Sequence, residues 1–380
     1  MPRATSGAVP AGITRPNAVE VDLDAITHNL GAIRSEADAG TRIFGAVKAN
    51  GYGLGLPAVA EAIVAGGGDG FGLSDPADAL KIRRAGIDAP ILMYGGMLPG
   101  AEAGAFARRW GAMLSVAELE AAVAVEGSAR SRTDVIVEVD VGLERLGVGV
   151  DDAAELVKTV NHVPGVRLMG ITTHLHGIGP GEYLEWQLAR FKEVVDTLAI
   201  EGVDLELRLG ESSATLGTGS HPSLNAVDPG HLLYGLIPRG RADRPSWLRS
   251  ALIGVTSRIL QVRSVSRHEF VSESPLVAEQ PTRIGVIPMG SADGLRLLSC
   301  GEVLVRGRRC RIVGGMSLEH TRIDLSAVPE AERGDEVMVV GKQGEQEITP
   351  QEVEQANALG SAGLGVVAAA SVRRVYREPR

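Results

Sequence analysis

The sequence predicts an α/β protein: a (β/α)8 barrel over residues 1–244, followed by a mostly-β domain over residues 245–380. Short β-branched runs alternate with helical patterns from residue 43 to about residue 237. Glycine is abundant, with 49 of 380 residues, as expected where many tight connections join buried strands and helices. After Pro245, helical periodicity nearly disappears, and alternating strands separated by Gly-rich or polar turns replace it.

Eight candidate strands lie in the first region, and eight strands with intervening helices over about 200 residues fit a barrel. A doubly wound open sheet would show the same alternation, so the pattern alone leaves both architectures open. The candidate strands are Ile43–Val47, Gly70–Leu73, Ile91–Met93, Ala112–Leu114, Val135–Val139, Leu168–Thr173, Leu205–Leu209 and Leu232–Leu236.

Helix signals separate these strands. Asp75 and Pro76 predict the start of a helix over Ala77–Ala85, because proline is favoured at the first helical position. A second helix is predicted to start at Ser115, and a long amphipathic helix covers Glu182–Ile200.

The second region predicts strands and one late helix, Pro350–Leu359. Its candidate strands are Ser257–Val265, Arg283–Pro288, Glu302–Val305, Arg311–Val313 and Glu336–Val340.

Charge and composition exclude several classes of protein. The chain has 38 basic and 47 acidic residues and no basic run, which argues against nucleic-acid binding. The longest apolar stretch near the C-terminus, Ser361–Val372, is well short of the roughly 20 residues of a membrane helix. Met1–Pro16 lacks the apolar core of a signal peptide. Because only Cys300 and Cys310 are present, we expect no disulfide scaffold and a cytoplasmic location.

The first stretch that carries chemistry is A-V-K-A-N-G-Y-G at residues 46–53. A lysine at the end of a buried strand is costly, because burial desolvates its ammonium group. In a barrel this end of the strand faces the active site. Lys48 is therefore either a salt-bridge partner or a nucleophile that forms a Schiff base.

This stretch resembles the alanine racemase family of fold type III pyridoxal-phosphate enzymes. The resemblance recurs in order along nearly the whole chain, from V-E-V-D-L at residues 19–23 to R-V-Y at residues 374–376. It implies that Lys48 binds the cofactor pyridoxal 5′-phosphate covalently and that Tyr52 contacts the cofactor phosphate. It also implies an amino-acid substrate and a homodimer with shared active sites.

The segment D-V-G-L-E-R-L-G at residues 140–147 resembles the family motif D-T-G-M-x-R-x-G. The resemblance places Arg145 where it reaches the phenolic oxygen of the cofactor and the substrate carboxylate; the alternative is a surface arginine. Glu138 stands where the family often has a carbamylated lysine that holds this arginine. A carboxylate carries the same single negative charge.

The segment G-I-T-T-H-L-H at residues 170–176 resembles the family strand whose histidine packs against the pyridine ring. This resemblance assigns that role to His174. His176 would lie on the same face of a continued strand, but no nearby cysteine or carboxylate completes a tetrahedral site. We therefore expect no metal, and the role of His176 stays open.

The segment E-S-S-A-T-L at residues 211–216 resembles N-S-A-A-T-L, which places Ser212 on the cofactor phosphate. Glu211 replaces the usual asparagine of the family's cofactor site. Because a carboxylate close to a phosphate is repelled, the role of Glu211 stays open.

The segment V-D-P-G-H-L-L-Y-G at residues 227–235 resembles V-R-P-G-I-x-L-Y-G. The backbone N–H groups of Gly230 and His231 are expected to bind phosphate, as small dipoles aimed at an anion. Asp228 stands at the family arginine that faces the pyridine nitrogen. A guanidinium keeps that nitrogen neutral, whereas an aspartate favours the pyridinium and makes the ring a stronger electron sink.

The segment M-G-S-A-D-G at residues 289–294 resembles G-Y-A-D-G, whose tyrosine is a second acid/base donated across the dimer interface. Ser291 takes its place, and a hydroxyl on a short stem is a weak base. Leu318 stands at a methionine whose backbone meets the substrate carboxylate. Residues 363–366 lack the tyrosine that gates the entrance in relatives.

These residues predict a pyridoxal-phosphate enzyme that labilises a bond at Cα of an amino acid. The leading hypothesis is an alanine racemase-like racemase or epimerase acting on a substrate other than alanine. Its expected catalytic residues are Lys48, Ser291, Arg145 and His174. One alternative is one-base chemistry on a bulkier amino acid: aldol cleavage or formation, decarboxylation or β-substitution. Another is a non-catalytic cofactor carrier, against which the second domain argues.

Overall fold

The computed structural model describes residues 14–95, 97–175, 181–217, 219–238, 241, 244–265, 282–294, 301–356 and 371–377. These residues form two compact units. The barrel unit spans Asp22–Ala251, and the β unit contains the described residues up to Val21 together with those from Leu252 on.

The division between the units differs from the division expected at residues 244 and 245. The chain enters the β unit at Leu252, and strand β1 (Ala18–Val21) belongs to that unit as well. The reason is pairing: β1 lies antiparallel to Leu252–Arg258 and parallel to Arg373–Tyr376. A four-residue strand that pairs with segments over 200 residues away carries no local sign of its partner.

Within the described residues, eight parallel strands close into a barrel, which confirms the predicted (β/α)8 architecture and excludes the open sheet. Closure is shown by the pairing of β5 with β6 and of β10 with β2. The barrel strands are β2 (Arg42–Ala46), β3 (Gly70–Leu73), β4 (Ile91–Met93), β5 (Ala112–Val116), β6 (Thr133–Asp140), β8 (Val166–Thr172), β9 (Leu207–Glu211) and β10 (Ala226–Val227), and a short β7 (Val148–Gly149) pairs with β6.

The predicted eighth strand, Leu232–Leu236, is wrong. The chain forms a 3₁₀ turn at His231–Tyr234, and the eighth strand is the short β10 just before it. Leu232, Leu233 and Tyr234 are all buried. A short apolar run that is buried on every side looks the same in a strand and in a helical turn, so the pattern could not separate them.

Helices surround the barrel at most of the predicted places. The helix Glu182–Ile200 agrees at both ends, and Asp75 caps the helix Pro76–Arg84 by accepting the Ala77 N–H at 2.8 Å. Ser115 lies in β5 rather than at a helix start. The helices are α1 (Leu23–Glu36), α3 (Leu56–Ala65), α4 (Pro76–Arg84), α5 (Ala101–Trp110), α6 (Leu119–Ala124), α7 (Val150–Asn161) and α8 (Glu182–Ile200), and the short segment α2 (Lys48–Tyr52) is a left-handed turn.

Apolar side chains of the barrel strands pack together as one buried cluster, contributed by β2, β4, β5, β6, β9 and β10. Its members are Phe44, Leu92, Met113, Ile136, Leu207, Leu209 and Ala226. Because the barrel is packed, polar chemistry is left to the loops at the carboxyl ends of the strands.

The β unit is built on a mixed sheet in the order β12-β13-β16-β15-β14-β17-β11-β1-β19, with β18 paired to β17. This confirms the predicted mostly-β second domain. The predicted strand Ser257–Val265 is two strands, and the late helix α9 is described over Pro350–Ala356. The further strands are β11 (Leu252–Arg258), β12 (Gln261–Val265), β13 (Thr282–Ile287), β14 (Glu302–Val305), β15 (Arg308–Met316), β16 (Thr321–Asp324), β17 (Glu336–Gln343), β18 (Gln346–Ile348) and β19 (Arg373–Tyr376).

Among the helices of the described residues, none has both the length and the apolar character needed to cross a membrane.

Candidate active site

Lys48 begins a left-handed turn directly after β2. Residues 49–52 all have positive φ, between 51° and 63°. Left-handed backbone costs about 1–2 kcal/mol for each residue that carries a Cβ. The Asn50 side chain offsets part of this cost, because its Oδ1 accepts the Leu56 N–H at 3.1 Å, at the start of α3. Such strain is typical of functional sites, and here it adjoins the exposed Lys48 side chain.

Tyr52 ends the left-handed turn with a buried ring. This ring stacks on Tyr234, with ring centroids 4.5 Å apart, and meets His231 edge-on at 6.0 Å. A Cβ on Gly230 would lie only 2.3 Å from the Tyr52 hydroxyl, so this close approach requires glycine at position 230. Burial raises the pKa of Tyr52 well above its ordinary value, which keeps the hydroxyl protonated and able to donate to an anion.

Ser212 and Ser213 are buried in the turn that follows β9. The Ser212 N–H donates to Thr215 Oγ1 at 3.0 Å. Ser213 Oγ accepts the N–H groups of Gly230, at 2.9 Å, and Leu232, at 3.2 Å. The Gly230 N–H, expected to point at the phosphate, is therefore engaged by Ser213. Sequence reasoning did not single out Ser213, which joins the two segments expected to hold the phosphate.

Asp228 follows β10 and is held by a tyrosine that sequence reasoning missed. Its Oδ2 accepts the Tyr94 hydroxyl at 2.8 Å, whereas Oδ1 is buried and receives no hydrogen bond from the other described residues. Burial raises the pKa of Asp228 to about 6, and the Tyr94 hydrogen bond, Lys48 and Arg145 act in the opposite direction. Asp228 is thus in electrostatic reach of both cations.

Arg145 lies in a loop that Asp140 shapes. Asp140 Oδ1 accepts three successive backbone N–H groups, those of Gly142, Leu143 and Glu144, at 2.8, 2.9 and 3.2 Å. The carboxylate ends β6 and fixes the start of the loop, which leaves the Arg145 side chain exposed. The family-like segment contains Asp140, but its hydrogen bonds became evident only in the structure.

Helix α8 packs on the same loop. The Tyr183 hydroxyl donates to the Gly142 carbonyl at 2.7 Å, and a Cβ on Gly142 would lie 2.4 Å from the Trp186 ring. The Arg190 guanidinium lies over Trp186, at 4.7 Å from the ring centroid. Position 142, with φ of +132°, requires glycine for both space and backbone conformation.

Glu138 is buried and is held by a serine rather than by Arg145. Ser115 Oγ donates to Glu138 Oε2 at 2.6 Å. Among the described residues, no hydrogen bond or ion pair joins Glu138 to Arg145, contrary to the expected support of the arginine.

The other predicted residues of the barrel unit are described in part. His174 is half-buried and lies two residues after the end of β8. His176 and the Glu211 side chain lie outside the described part of the chain. In that part, no group of three or more His, Cys, Asp or Glu side chains could hold a metal ion.

In the β unit, the structure brings Ser291 and Leu318 together. The Ser291 N–H donates to the Ser317 carbonyl at 3.0 Å, and the Ala292 N–H donates to the Leu318 carbonyl at 2.9 Å. A Cβ on Gly290 would lie 2.4 Å from the Ser317 oxygen, so glycine permits this contact. Both the Ser291 and the Leu318 side chains are exposed.

The residues of the barrel unit fit pyridoxal phosphate. Asp228 Oδ1 is a buried acceptor that matches a protonated ring nitrogen. The protonated Tyr52 hydroxyl, which lies close to Gly230, can donate a hydrogen bond to an anionic phosphate. Lys48 supplies an exposed amine for the cofactor aldehyde.

Comparisons with known proteins agree with this site. The family model described as alanine racemase, N-terminal domain, matches residues 21–238, and the model for the C-terminal domain matches residues 252–376. An alanine racemase of Desulforamulus reducens is 32% identical over 369 residues, covering 94% of this chain and 98% of its own. One of Halothermothrix orenii is 30% identical over 353 residues, covering 90% and 92%.

A solved structure extends the likeness to three dimensions. The alanine racemase from Bacillus anthracis, solved with bound L-Ala-P, has a TM-score of 0.87 and 28% identity, and the match covers 96% of each chain. Because the two family models together span most of the sequence, this chain belongs to the alanine racemase family, a family of isomerases that use pyridoxal phosphate.

Proposed function

We propose that this chain binds pyridoxal phosphate at Lys48 and acts at Cα of an amino acid as an alanine racemase-like racemase or epimerase. The observation that carries the proposal is the buried Asp228 Oδ1, which receives no hydrogen bond from another described residue and belongs to a carboxylate whose charge Lys48 and Arg145 both favour. Family membership supports it. The preferred substrate is proposed to differ from alanine, because Ser291 and Leu318 stand where the family has larger or different side chains.

Bound pyridoxal phosphate supplies an electron sink that weakens the bonds to Cα. Tyr52 and the Ser212–Ser213 turn would hold its phosphate, and Asp228 would accept a hydrogen bond from its protonated ring nitrogen. His174 is assigned to the face of the ring. Arg145 binds the substrate carboxylate, because a guanidinium pairs with it through two parallel hydrogen bonds.

Lys48 moves the proton at Cα on one face of the substrate. On the other face, Ser291 or a water beside it holds a proton, and a short serine leaves room for a larger substrate side chain than a tyrosine would. By the same resemblance, the Ser291 and Leu318 segments complete the site of a partner subunit in a homodimer.

One observation favours the one-base alternative. The Ser291 hydroxyl lies 3.5 Å from the Ser317 carbonyl oxygen, which is an acceptor and cannot activate a hydroxyl. The nearby Asp293 carboxylate is engaged by Arg15 and by the Gly290 N–H. Among the described residues, no base accepts a hydrogen bond from the Ser291 hydroxyl, which suits chemistry in which Lys48 alone handles protons.

Proton NMR in deuterium oxide, across a panel of D- and L-amino acids, tests the proposal. Exchange at Cα with inversion supports a racemase, exchange on one face without inversion supports one-base chemistry, and no exchange with any amino acid supports a carrier. Lys48→Ala should abolish the visible absorbance band of the cofactor. A wild-type protein that is colourless and releases no pyridoxal phosphate on denaturation would overturn all three versions.

Two serine variants then identify the second base. Ser291→Ala should reduce inversion by 10-fold or more while leaving one-face exchange intact, as expected for loss of a general acid/base group. Ser264→Ala, an exposed serine in β12, serves as the matched control. Equal rates of inversion in Ser291→Ala and the wild type would exclude Ser291 as the second acid/base.

A further inference from the structure

We propose that Tyr94 is a positioning residue for the cofactor ring: its hydroxyl holds Asp228 as a carboxylate and leaves Asp228 Oδ1 to accept the N–H of the protonated ring nitrogen. This inference rests on the proposed function, because it assumes that pyridoxal phosphate is bound at Lys48. It assigns a role to a residue for which the family resemblance assigns none.

The two carboxylate oxygens of Asp228 differ in their hydrogen bonds. The Tyr94 hydroxyl donates its single proton to Oδ2, over 2.8 Å. Oδ1 is buried, and no other described residue donates to it. A buried carboxylate oxygen without a donor is costly, so the arrangement calls for a ligand that brings an N–H group, preferably a cationic one.

The position of Tyr94 is built into the barrel. Its backbone N–H donates to the Leu73 carbonyl at 2.8 Å, directly after β4. Gly72 lies in the neighbouring strand β3, and a Cβ there would be 2.1 Å from the Tyr94 oxygen and 2.6 Å from Cζ. Any side chain at residue 72 would displace the ring. Gly72 therefore leaves the space in which the Tyr94 ring places its hydroxyl next to Asp228.

The charges around Asp228 indicate what this hydroxyl does. Lys48 and Arg145 favour the carboxylate, whereas burial favours the neutral acid. Tyr52 lies within electrostatic reach of Asp228, and Glu138 within reach of Tyr94. Burial raises the pKa of Tyr94 well above its ordinary value, so Tyr94 is a donor.

Asp228 and the ring nitrogen would share one proton. The proton lies either on the nitrogen, giving an ion pair, or on Asp228, giving two neutral groups. A donor on Oδ2 stabilises the carboxylate more than the neutral acid and so favours the ion pair. Removing the Tyr94 hydroxyl should move the proton from the nitrogen toward Asp228.

The test measures the ring nitrogen directly. The holoenzyme is loaded with pyridoxal phosphate carrying ¹⁵N in the ring, and the ¹⁵N shift is followed against pH. In the wild type the nitrogen should be protonated at neutral pH, and in Asp228→Asn it should not be. In Tyr94→Phe the midpoint of protonation should fall by about one to two pH units, as expected for one hydrogen bond to a charged acceptor.

Two further variants separate positioning from a general structural effect. Gly72→Ala should lower the midpoint as Tyr94→Phe does, because it displaces the same hydroxyl. Tyr376→Phe, which removes a tyrosine hydroxyl in the β unit, should leave it unchanged. An unaltered midpoint in Tyr94→Phe, or a neutral nitrogen in wild-type holoenzyme, would overturn this inference alone. If no cofactor binds in the wild type, the proposed function fails and this inference with it.

Discussion

Arg15 holds Asp293 through both of its terminal nitrogens. Nη1 lies 3.0 Å from Asp293 Oδ1, and Nη2 lies 3.1 Å from Oδ2. The same guanidinium donates to the carbonyl oxygens of Pro288, at 2.5 Å, and Glu319, at 3.3 Å. Arg15, which is far from both loops in the sequence, thus connects the loop that carries Ser291 with the loop that carries Leu318.

Arg15→Ala should destabilise the β unit. Asp293 is almost fully buried, so removing Arg15 leaves a buried carboxylate without a cation. Because the Arg15 side chain is itself partly exposed, the loss of stability is limited. We expect the free energy of unfolding to fall by about 1–3 kcal/mol in denaturant titrations. Lys192→Ala breaks an exposed ion pair and should cost less than about 1 kcal/mol. Equal losses in the two variants would show that the Arg15 contact is no stronger than a surface pair.

Asp140→Ala should impair substrate binding more than cofactor binding. The change removes the acceptor for three backbone N–H groups and loosens the loop that carries Arg145. We expect a 10-fold or greater rise in the KM for the amino acid, with the cofactor content unchanged. Asp134→Ala, which removes a half-buried carboxylate of the same strand that pairs with Arg167, is the control. Loss of the cofactor in Asp140→Ala would contradict this division of roles.

Gly230→Ala and Tyr52→Phe should interact strongly. The Cβ of the alanine would lie 2.3 Å from the Tyr52 hydroxyl and 3.1 Å from its Cζ, and stacking on Tyr234 restrains the ring. Gly230→Ala alone should weaken phosphate-dependent cofactor binding by 10-fold or more. In the double variant the closest clash is removed, so the two effects should be less than additive. Calorimetric titration of the cofactor-free variants measures this coupling, and strict additivity would refute the proposed contact.

Asp228 should make the cofactor-free protein less stable as pH rises. Its pKa is raised from 3.8 to about 6 in the folded state, so the folded state binds more protons than the unfolded state between these values. Stability is therefore lost as pH rises through this window, and a constant cost of about 3 kcal/mol persists above it.

Comparing cofactor-free wild type with Asp228→Asn isolates this cost. The variant should gain stability relative to the wild type as pH rises from 3.8 to about 6, in denaturant titrations at each pH, and the difference should be constant at higher pH. A difference between the two proteins that does not change with pH would mean that Asp228 keeps an ordinary pKa.

Much of the fold could be predicted because local sequence patterns determine it. Strands such as Gly70–Leu73 and Ile91–Met93, and the helix Glu182–Ile200, agree with the structure at both ends. Each is an apolar or amphipathic run with clear end signals, and local sequence determines such elements. The predicted strand Leu232–Leu236 failed because its burial has no periodicity.

The site was predicted as a set of positions and not as a set of contacts. Ser291 and Leu318 came from separate motifs, and the structure places them in adjacent loops. Ser213 and Tyr94 were missed because their partners, Gly230 and Asp228, are distant in the sequence. Gly72 could have indicated that a side chain packs closely against β3, but a glycine in a strand does not show that this side chain is Tyr94.

By itself, the sequence determined the alternation of strands and helices in the first region, the mostly-β second domain, and the positions of Lys48, Tyr52, Arg145 and Asp228. Periodicity and short motifs are local properties, and the chain carries them without folding. Only the tertiary structure decided that β1 belongs to the second unit, that Arg15 holds Asp293, and that Tyr94 holds Asp228. These contacts form between residues that come together only when the barrel closes and the sheet pairs, so no local sequence pattern indicates them.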